Sequence, residues 1–220
     1  TADICTDSTC CQAYLSEERA RANWGQQAGA YEQKVETAVT ATDGQAILYG
    51  GAPILAVFHS SSAGRTRPAG EVWQSDLPYL QAVDSPEPGE SIPNYYSRVE
   101  FTAEAFRKAV TAACPEADLS GKMETWLRDP VVDSAGSVSS VTVGGVSVKG
   151  SRLRSILGLR SACFEWEVQG EKLVFFVTGF GHGVGLSQYG ANQMASDGAD
   201  YREIVTHYYT GVTVEAYLPE

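Results

Sequence analysis

Apolar and polar positions follow two periods along this chain, and the switches between them divide it into short elements. Ser16 stands before Glu17, Glu18, Arg19 and Arg21, the pattern of a capped helix with a charged first turn. Tyr31, Val35, Ala38 and Val39 recur at helical spacing and predict a second helix from about Gly29 to Ala41, ended by Asp43-Gly44. Gln45–Tyr49 and Pro53–Phe58 read as two strands joined at Gly50-Gly51, a hairpin signal. Farther on, Thr102 opens a helix over Ala103–Ala113 with Phe106 and Val110 on its buried side, and Asp118–Leu127 is expected as another, ended before Pro130. Val138–Val143 and Val146–Val148 alternate about Gly144-Gly145 as a second hairpin. A short helix over Ser151–Leu157 precedes Gly158, strands follow at Phe164–Val168 and Leu173–Val177, and Ser187–Met194 and Tyr201–Tyr209 complete the set as helices.

Hairpins and helices falling in separate runs argue for an α+β fold, two-lobed, built of short helices and β-hairpins around a Gly-rich cleft. The Pro-, Glu- and Ser-rich stretch Pro86–Pro93 reads as a boundary or exposed connection. The expected division is a core lobe over 1–85, a second lobe or insertion over 86–163, and a return to the core lobe over 164–220. With 220 residues, 43% of them hydrophobic, the chain can bury a substantial core. Its net charge of −11 and lack of any Lys/Arg run exclude the electrostatic footprint of a nucleic-acid binder. No apolar stretch has membrane-spanning length, and the N-terminus has none of the features of a signal peptide. The chain opens at Thr1 without an initiator Met and reads as a fragment, so an anchor or export signal is expected outside it.

Two loops carry the candidate chemistry. In Gly179–Ala191, five glycines surround His182, Ser187 and Gln188, directly after the strand Leu173–Val177. Glycine lets a backbone or ligand approach closely, so the run resembles the rim of a site at the end of a sheet. The alternative is a Gly-rich turn into a helix with a packed histidine. The second loop, His59 to Thr66, offers hydroxyls, a histidine and an arginine just past a strand end. Neutral hydrogen-bonding groups on scaffolded loops suit a polyol or carbohydrate; an ordinary polar turn is the alternative. His59, Ser61, Ser62, Gly64, Thr66, His182, Gly183, Ser187 and Gln188 are the expected substrate-binding residues. His207, in a His-Tyr-Tyr run on a packed helix, is expected to be structural. Three of the five cysteines fall within seven residues, at Cys5, Cys10 and Cys11. They can converge on a tetrahedral ion such as zinc, or one can pair with Cys114 or Cys163 in an oxidising compartment.

The motifs Cys5-x4-Cys10-Cys11-Gln-Ala-Tyr14, His59-Ser-Ser-Ser-Ala-Gly-Arg-Thr66, Val72-Trp73, Pro78-Tyr-Leu80, Leu157-Gly-Leu-Arg-Ser161 and Gly181-His-Gly-Val-Gly-Leu-Ser-Gln-Tyr-Gly190 occur in this order. Together they resemble the stage II sporulation protein D family, which includes amidase-enhancer homologues, over nearly the whole chain. The resemblance implies a lytic transglycosylase that cleaves the MurNAc–GlcNAc backbone of peptidoglycan, favouring glycan strands stripped of stem peptides. It implies work with a sporulation amidase and engulfment-complex proteins, in a membrane-anchored protein of the extracytoplasmic space between the membranes of a sporulating cell. The family's catalytic glutamate lies on a helix before the Cys-rich loop, upstream of Thr1, which would leave this chain alone inactive. The zinc site of some members uses two cysteines and two histidines; Cys5 and Cys11 match, and Cys10 stands where a histidine would be.

Within the chain Glu71 is the candidate acid, with Glu32 and Glu36 behind it, and for each the alternative is a surface carboxylate. Two other function classes compete. One is a non-catalytic glycan-binding or amidase-activating module. The other is a metal-dependent hydrolase built on Cys5, Cys10 and Cys11, although all-thiolate ligation usually marks a closed structural site.

Overall fold

A computed structural model describes residue 6, residues 13–73 and residues 75–217 of the chain. The cysteine-rich loop bearing Cys5, Cys10 and Cys11 lies outside the described residues. The chain divides into two compact units, residues 1–46 with 216–220, and residues 47–215.

The first unit holds α1 (Glu17–Trp24) and α2 (Ala28–Ala41). The Ser16 hydroxyl accepts from the Arg19 N–H at 3.3 Å and caps α1 as its sequence predicts. The two helices meet through an edge-on contact of Trp24 with Tyr31, ring centroids 5.8 Å apart, and an Arg21–Glu32 ion pair at 2.6 Å.

The second unit begins with a hairpin of β1 (Gln45–Tyr49) and β2 (Ala52–Pro53), followed by the two-residue β3 (Phe58–His59). The strand expected over Pro53–Phe58 is therefore interrupted. Pro53 has no N–H to give the ladder, and after the Ile54 N–H donates to the Ile47 carbonyl at 3.0 Å the regular strand ends until the chain reaches β3. A single helical turn, α3 (Ala69–Val72), leads into β4 (Tyr96–Thr102), α4 (Ala103–Ala113), β5 (Leu127–Val132), β6 (Val138–Val143), β7 (Val146–Lys149) and α5 (Gly150–Leu157). Then come β8 (Phe164–Gln169), β9 (Lys172–Thr178), β10 (Leu186–Ser187), α6 (Gln188–Ser196), α7 (Tyr201–Tyr208) and β11 (Thr213–Ala216). The mixture of helices with several small sheets is the α+β class expected, with sheet orders β11-β1-β2, β4-β9-β8, β5-β6-β7 and β10-β3.

Two hydrophobic clusters organise this unit. One gathers Phe106, Trp126, Leu153, Leu173 and Phe175 beneath the β4-β9-β8 and β5-β6-β7 sheets. Phe106 stacks on Trp126 at 5.6 Å between centroids and on Phe175 at 6.3 Å. The other joins Ala69, Leu80, Val184, Ile204, Tyr208 and Tyr209. β8 and β9 pack in the first of these clusters, and Val184 with residues of α7 packs in the second. Pro86–Pro93 lies within the second unit, where it buries Ile92.

The helix expected over Asp118–Leu127 is replaced by a turn, one 3-10 turn at Met123–Thr125 and the start of β5. The Asp118 carboxylate accepts from the Ser120 N–H at 2.9 Å, which closes a side-chain turn in competition with a helix. The Trp126 indole N–H then donates to the Gly121 carbonyl at 3.0 Å and pins the segment in that form. Asp129, at φ 51°, kinks the strand that follows. Among the described residues no helix is long and apolar enough to cross a membrane.

Phe106 fills the centre of its cluster with no exposed surface, so Phe106→Ala is expected to lower unfolding free energy by about 3–5 kcal/mol. Urea unfolding followed by tryptophan fluorescence measures it through the stacked Trp126.

Candidate functional site

The two motif loops lie side by side. β3 and β10 pair in parallel, Phe58 opposite Leu186 and His59 opposite Ser187. Ser61 and Phe180 exchange backbone hydrogen bonds at 3.1 and 2.8 Å, and the Arg67 N–H donates to the Gly183 carbonyl at 2.7 Å. Glycine is demanded where this pairing is tightest. At Gly181, with φ +124°, a Cβ would come within 2.6 Å of the His59 Cβ. At Gly190 a Cβ would strike the Ser85 and Tyr208 hydroxyl oxygens.

The pairing brings the two histidine rings to 5.5 Å between centroids, and Trp73 lies 5.3 Å from His182 on its other side. His59 is buried, and its Nδ1 stands 3.2 Å from the Val184 carbonyl, which can only accept. Nδ1 therefore carries the proton, and Nε2 is a bare acceptor with no partner among the described residues. Burial, helped by the neighbouring His182, lowers the His59 pKa to about 3. His182 takes the opposite tautomer, since its Nδ1 accepts from the Val184 N–H at 3.1 Å. Burial is the main cause lowering its pKa too; a backbone bond to Phe58 opposes it, and the Arg154 and Arg67 charges lower it further. Neither ring is a proton donor near neutrality.

Beside the histidines opens a cleft of about 10 Å³, room for one water-sized group, whose lining includes Ser61, Arg67, Ser137, Ser161, Thr178 and His182. The Ser61 hydroxyl is buried there without a partner among the described residues. Arg67 crosses the wall to pair with Asp133 at 2.5 Å, both side chains almost wholly buried. Asp133 is itself fixed by the N–H groups of Ala135 and Ser137, at 3.0 and 2.9 Å. That pair ties the β5–β6 turn to the Gly183 loop, whose carbonyl holds the Arg67 backbone.

On the other side stands Glu87. Its Oε1 accepts from the Ser62 N–H at 3.0 Å and from the hydroxyls of Ser62, Ser85 and Ser187 at 2.7, 2.9 and 2.5 Å. Burial pushes the Tyr208 phenol up to about 12, and the Glu87 charge adds to the shift, so at neutral pH it is an O–H within 2.6 Å of the Ser85 oxygen. Because Ser85 donates to Glu87, Tyr208 donates to Ser85.

Of the expected binding residues, the structure gathers His59, Ser61, Ser62, Thr66, His182, Gly183 and Ser187 around this seam. Ser62, Thr66 and Ser187 are buried with their hydroxyls bonded to protein, Thr66 accepting from the Val83 N–H at 2.9 Å. They shape the surface rather than stand open on it. Gly64 and Gln188 are exposed at the rim, Gln188 as the first residue of α6. Glu71 is exposed on α3, two residues before Trp73. Glu32 is held by Arg21, and Glu36 is exposed on α2, in the other unit. His207 fulfils a structural part, its Nε2 lying 2.7 Å from the Asp84 carbonyl. Cys114 and Cys163 are free thiols among the described residues; the cysteines weighed as their partners lie outside those residues.

Sequence reasoning missed Glu87, Arg67, Asp133 and Trp73. Trp73 alone had a local signal, its place in the Val72-Trp73 motif. Glu87 sits between two prolines in a stretch that reads as a connection, and nothing nearby marks it.

No protein-family model matches the chain. Stage II sporulation protein D of Bacillus amyloliquefaciens is 36% identical over 208 residues, 94% of this chain and 58% of that protein. The protein of the same name from Bacillus subtilis (strain 168) is 35% identical over 209 residues, 94% of this chain and 59% of its own length. An amidase enhancer of Bacillus subtilis (strain 168) is 26% identical, covering 85% of this chain and 33% of that protein. The chain thus spans less than two thirds of the length of either sporulation protein.

The buried neutral His59 sets a pH dependence of stability. An unfolded chain takes up its proton near 6.5, the folded chain only near 3, so stability present above pH 6.5 declines as pH falls toward 3. One such group contributes a slope of about 1.4 kcal/mol per pH unit inside that window. Urea unfolding at pH 7, 6, 5 and 4 is expected to show this loss, with a shallower slope in His59→Asn.

Proposed function

The chain belongs to the stage II sporulation protein D family, and from that premise we propose that its paired loops bind peptidoglycan glycan strands for a lytic transglycosylase reaction during engulfment. The observation that carries this reading is the juxtaposition of His59, His182 and Trp73, neutral hydrogen-bonding and aromatic groups of the kind that line sugar sites. In that reaction one carboxyl protonates the glycosidic oxygen as the bond to the muramic C1 breaks. Now a base, it removes the proton from the C6 hydroxyl while O6 bonds to C1, closing a 1,6-anhydro ring without water. A single acid with a raised pKa serves both steps, where ordinary glycosidases use two carboxylates.

The two histidines are neutral, and Glu87 is engaged with serines, so neither supplies that acid. The family pattern puts it on a helix before the Cys-rich loop, and exposed Glu71 is the candidate inside the chain. A second reading is a glycan-binding, amidase-activating module that performs no cleavage itself; the likeness to an amidase enhancer supports it. A sporulation amidase and engulfment proteins are the partners proposed, in the extracytoplasmic space.

Zinc on Cys5, Cys10 and Cys11 is proposed as structural. The thiolate donors suit a closed zinc site.

Two experiments test these readings. Full-length protein incubated with stem-peptide-free glycan is expected to yield 1,6-anhydroMurNAc ends by mass spectrometry. Only reducing ends would mean hydrolysis, and binding without any cleavage would favour the activating module. For zinc, metal analysis is expected to find the ion in the purified protein and to lose it in Cys11→Ser, with a lower Tm and an unchanged Kd for glycan.

A further inference from the structure

Among the described residues Glu87 is the one carboxylate that touches both motif loops, and it does so through a single oxygen. Its four donors come from Ser62 on the first loop, Ser85 on its own segment and Ser187 at the turn into α6. Hydrogen bonds to an ionised acceptor are about twice as strong as neutral ones, and here they converge from positions 25 and 100 residues away in sequence. The carboxylate is also held rigidly from behind. Pro86 and Pro88 fix φ on either side of it, and the Glu87 N–H donates to the Ser85 carbonyl at 2.8 Å. Its other oxygen, Oε2, is sealed from solvent and has no partner among the described residues. Buried in this way, Glu87 is out of a ligand's reach and is not the acid of the proposed reaction.

The seam on which the histidines stand depends on this carboxylate. Ser187 is paired with His59 in the β3–β10 ladder, and the Ser187 hydroxyl, while donating to Glu87, accepts from the Gly190 N–H at 3.3 Å and so starts α6. Ser62 follows Ser61, whose backbone pairs with Phe180. Gly190 has no room for a side chain because Ser85, Tyr208 and Glu87 crowd the place a Cβ would take.

We infer that Glu87 is a positioning residue: by clamping Ser62 and Ser187 it sets the separation of the two loops, and with it the His59–His182 pair and the glycan groove. This rests on the glycan-binding reading for its functional consequence, while the clamp itself stands on geometry. Four variants of the chain separate the two: Glu87→Gln, Glu87→Ala, Ser187→Ala, and the Glu87→Ala/Ser187→Ala double. Gln keeps an acceptor oxygen in the same place; Ala removes it.

Amide hydrogen exchange at Ser62 reads the clamp without any ligand. It is expected to accelerate about tenfold or more in Glu87→Ala and to stay within about threefold of wild type in Glu87→Gln, since about 1.4 kcal/mol corresponds to tenfold in an equilibrium. Unchanged exchange in Glu87→Ala would overturn the clamp. Calorimetric titration with stem-peptide-free GlcNAc–MurNAc strands, well below the Tm of each variant, reads the positioning. Kd is expected to rise about tenfold in Glu87→Ala, to be rescued by Gln, and to rise no further in the double variant than in Glu87→Ala, the signature of residues acting as one unit. A merely structural residue would lower Tm and leave Kd of the folded protein unchanged, and that result overturns the positioning role. Wild-type protein that binds no glycan would overturn the glycan reading and the functional half of the inference together, while the exchange data still decide the clamp.

Discussion

The constraint on which the site depends is the close approach of two backbones, the His59–Arg67 segment and the Gly179–Gly190 loop. Their contacts run through short ladders and single bridges instead of one continuous strand pair. Such pairing would be weak alone. It holds because glycines allow the backbones to touch and because buried polar groups fasten both flanks, Arg67–Asp133 on one and Glu87 with its serines on the other. Buried ion pairs and carboxylates are costly unless their lone pairs are filled. Asp133 meets that condition, with two backbone N–H donors besides its arginine; Glu87 has four donors on one oxygen, while its other oxygen is buried without a partner among the described residues.

This arrangement divides the motif residues by role. Thr66, Ser62 and Ser187 build the frame; His182, Trp73, Gly64 and Gln188 stand nearer its open side. Ser62 and Ser187 are thus better understood as ligands of a carboxylate than as ligands of a sugar. Chemistry and architecture are separated as well. The Phe106–Trp126–Phe175 stack supports β9, whose end delivers Gly179, and the cluster around Leu80 and Tyr208 supports the loops from beneath.

Elements with a strong apolar period were legible in the sequence. α4 shows Phe106 and Val110 one turn apart, and the β6–β7 hairpin alternates about two glycines. β5 was hidden because Pro130 and the left-handed Asp129 imitate a helix end. β4 was hidden by its polar composition: Arg98 and Glu100 alternate with Val99 and Phe101 beside a stretch read as a connection. The histidines and glycines of the site were visible because their types are unusual where they stand. Glu87, Arg67 and Asp133 were not, since a salt bridge or a carboxylate clamp between residues far apart leaves no mark on the local pattern.

The two loops reach their places through bonds made within the protein. Their backbone is ordered on folding, when the conformational entropy of each residue, about 1–2 kcal/mol, is given up. A ligand docking against them has no loop to freeze, so more of its contact energy appears as affinity, which is the advantage of preorganisation. Selectivity then comes from shape. A site ordered before a ligand arrives admits partners by the shape it already has.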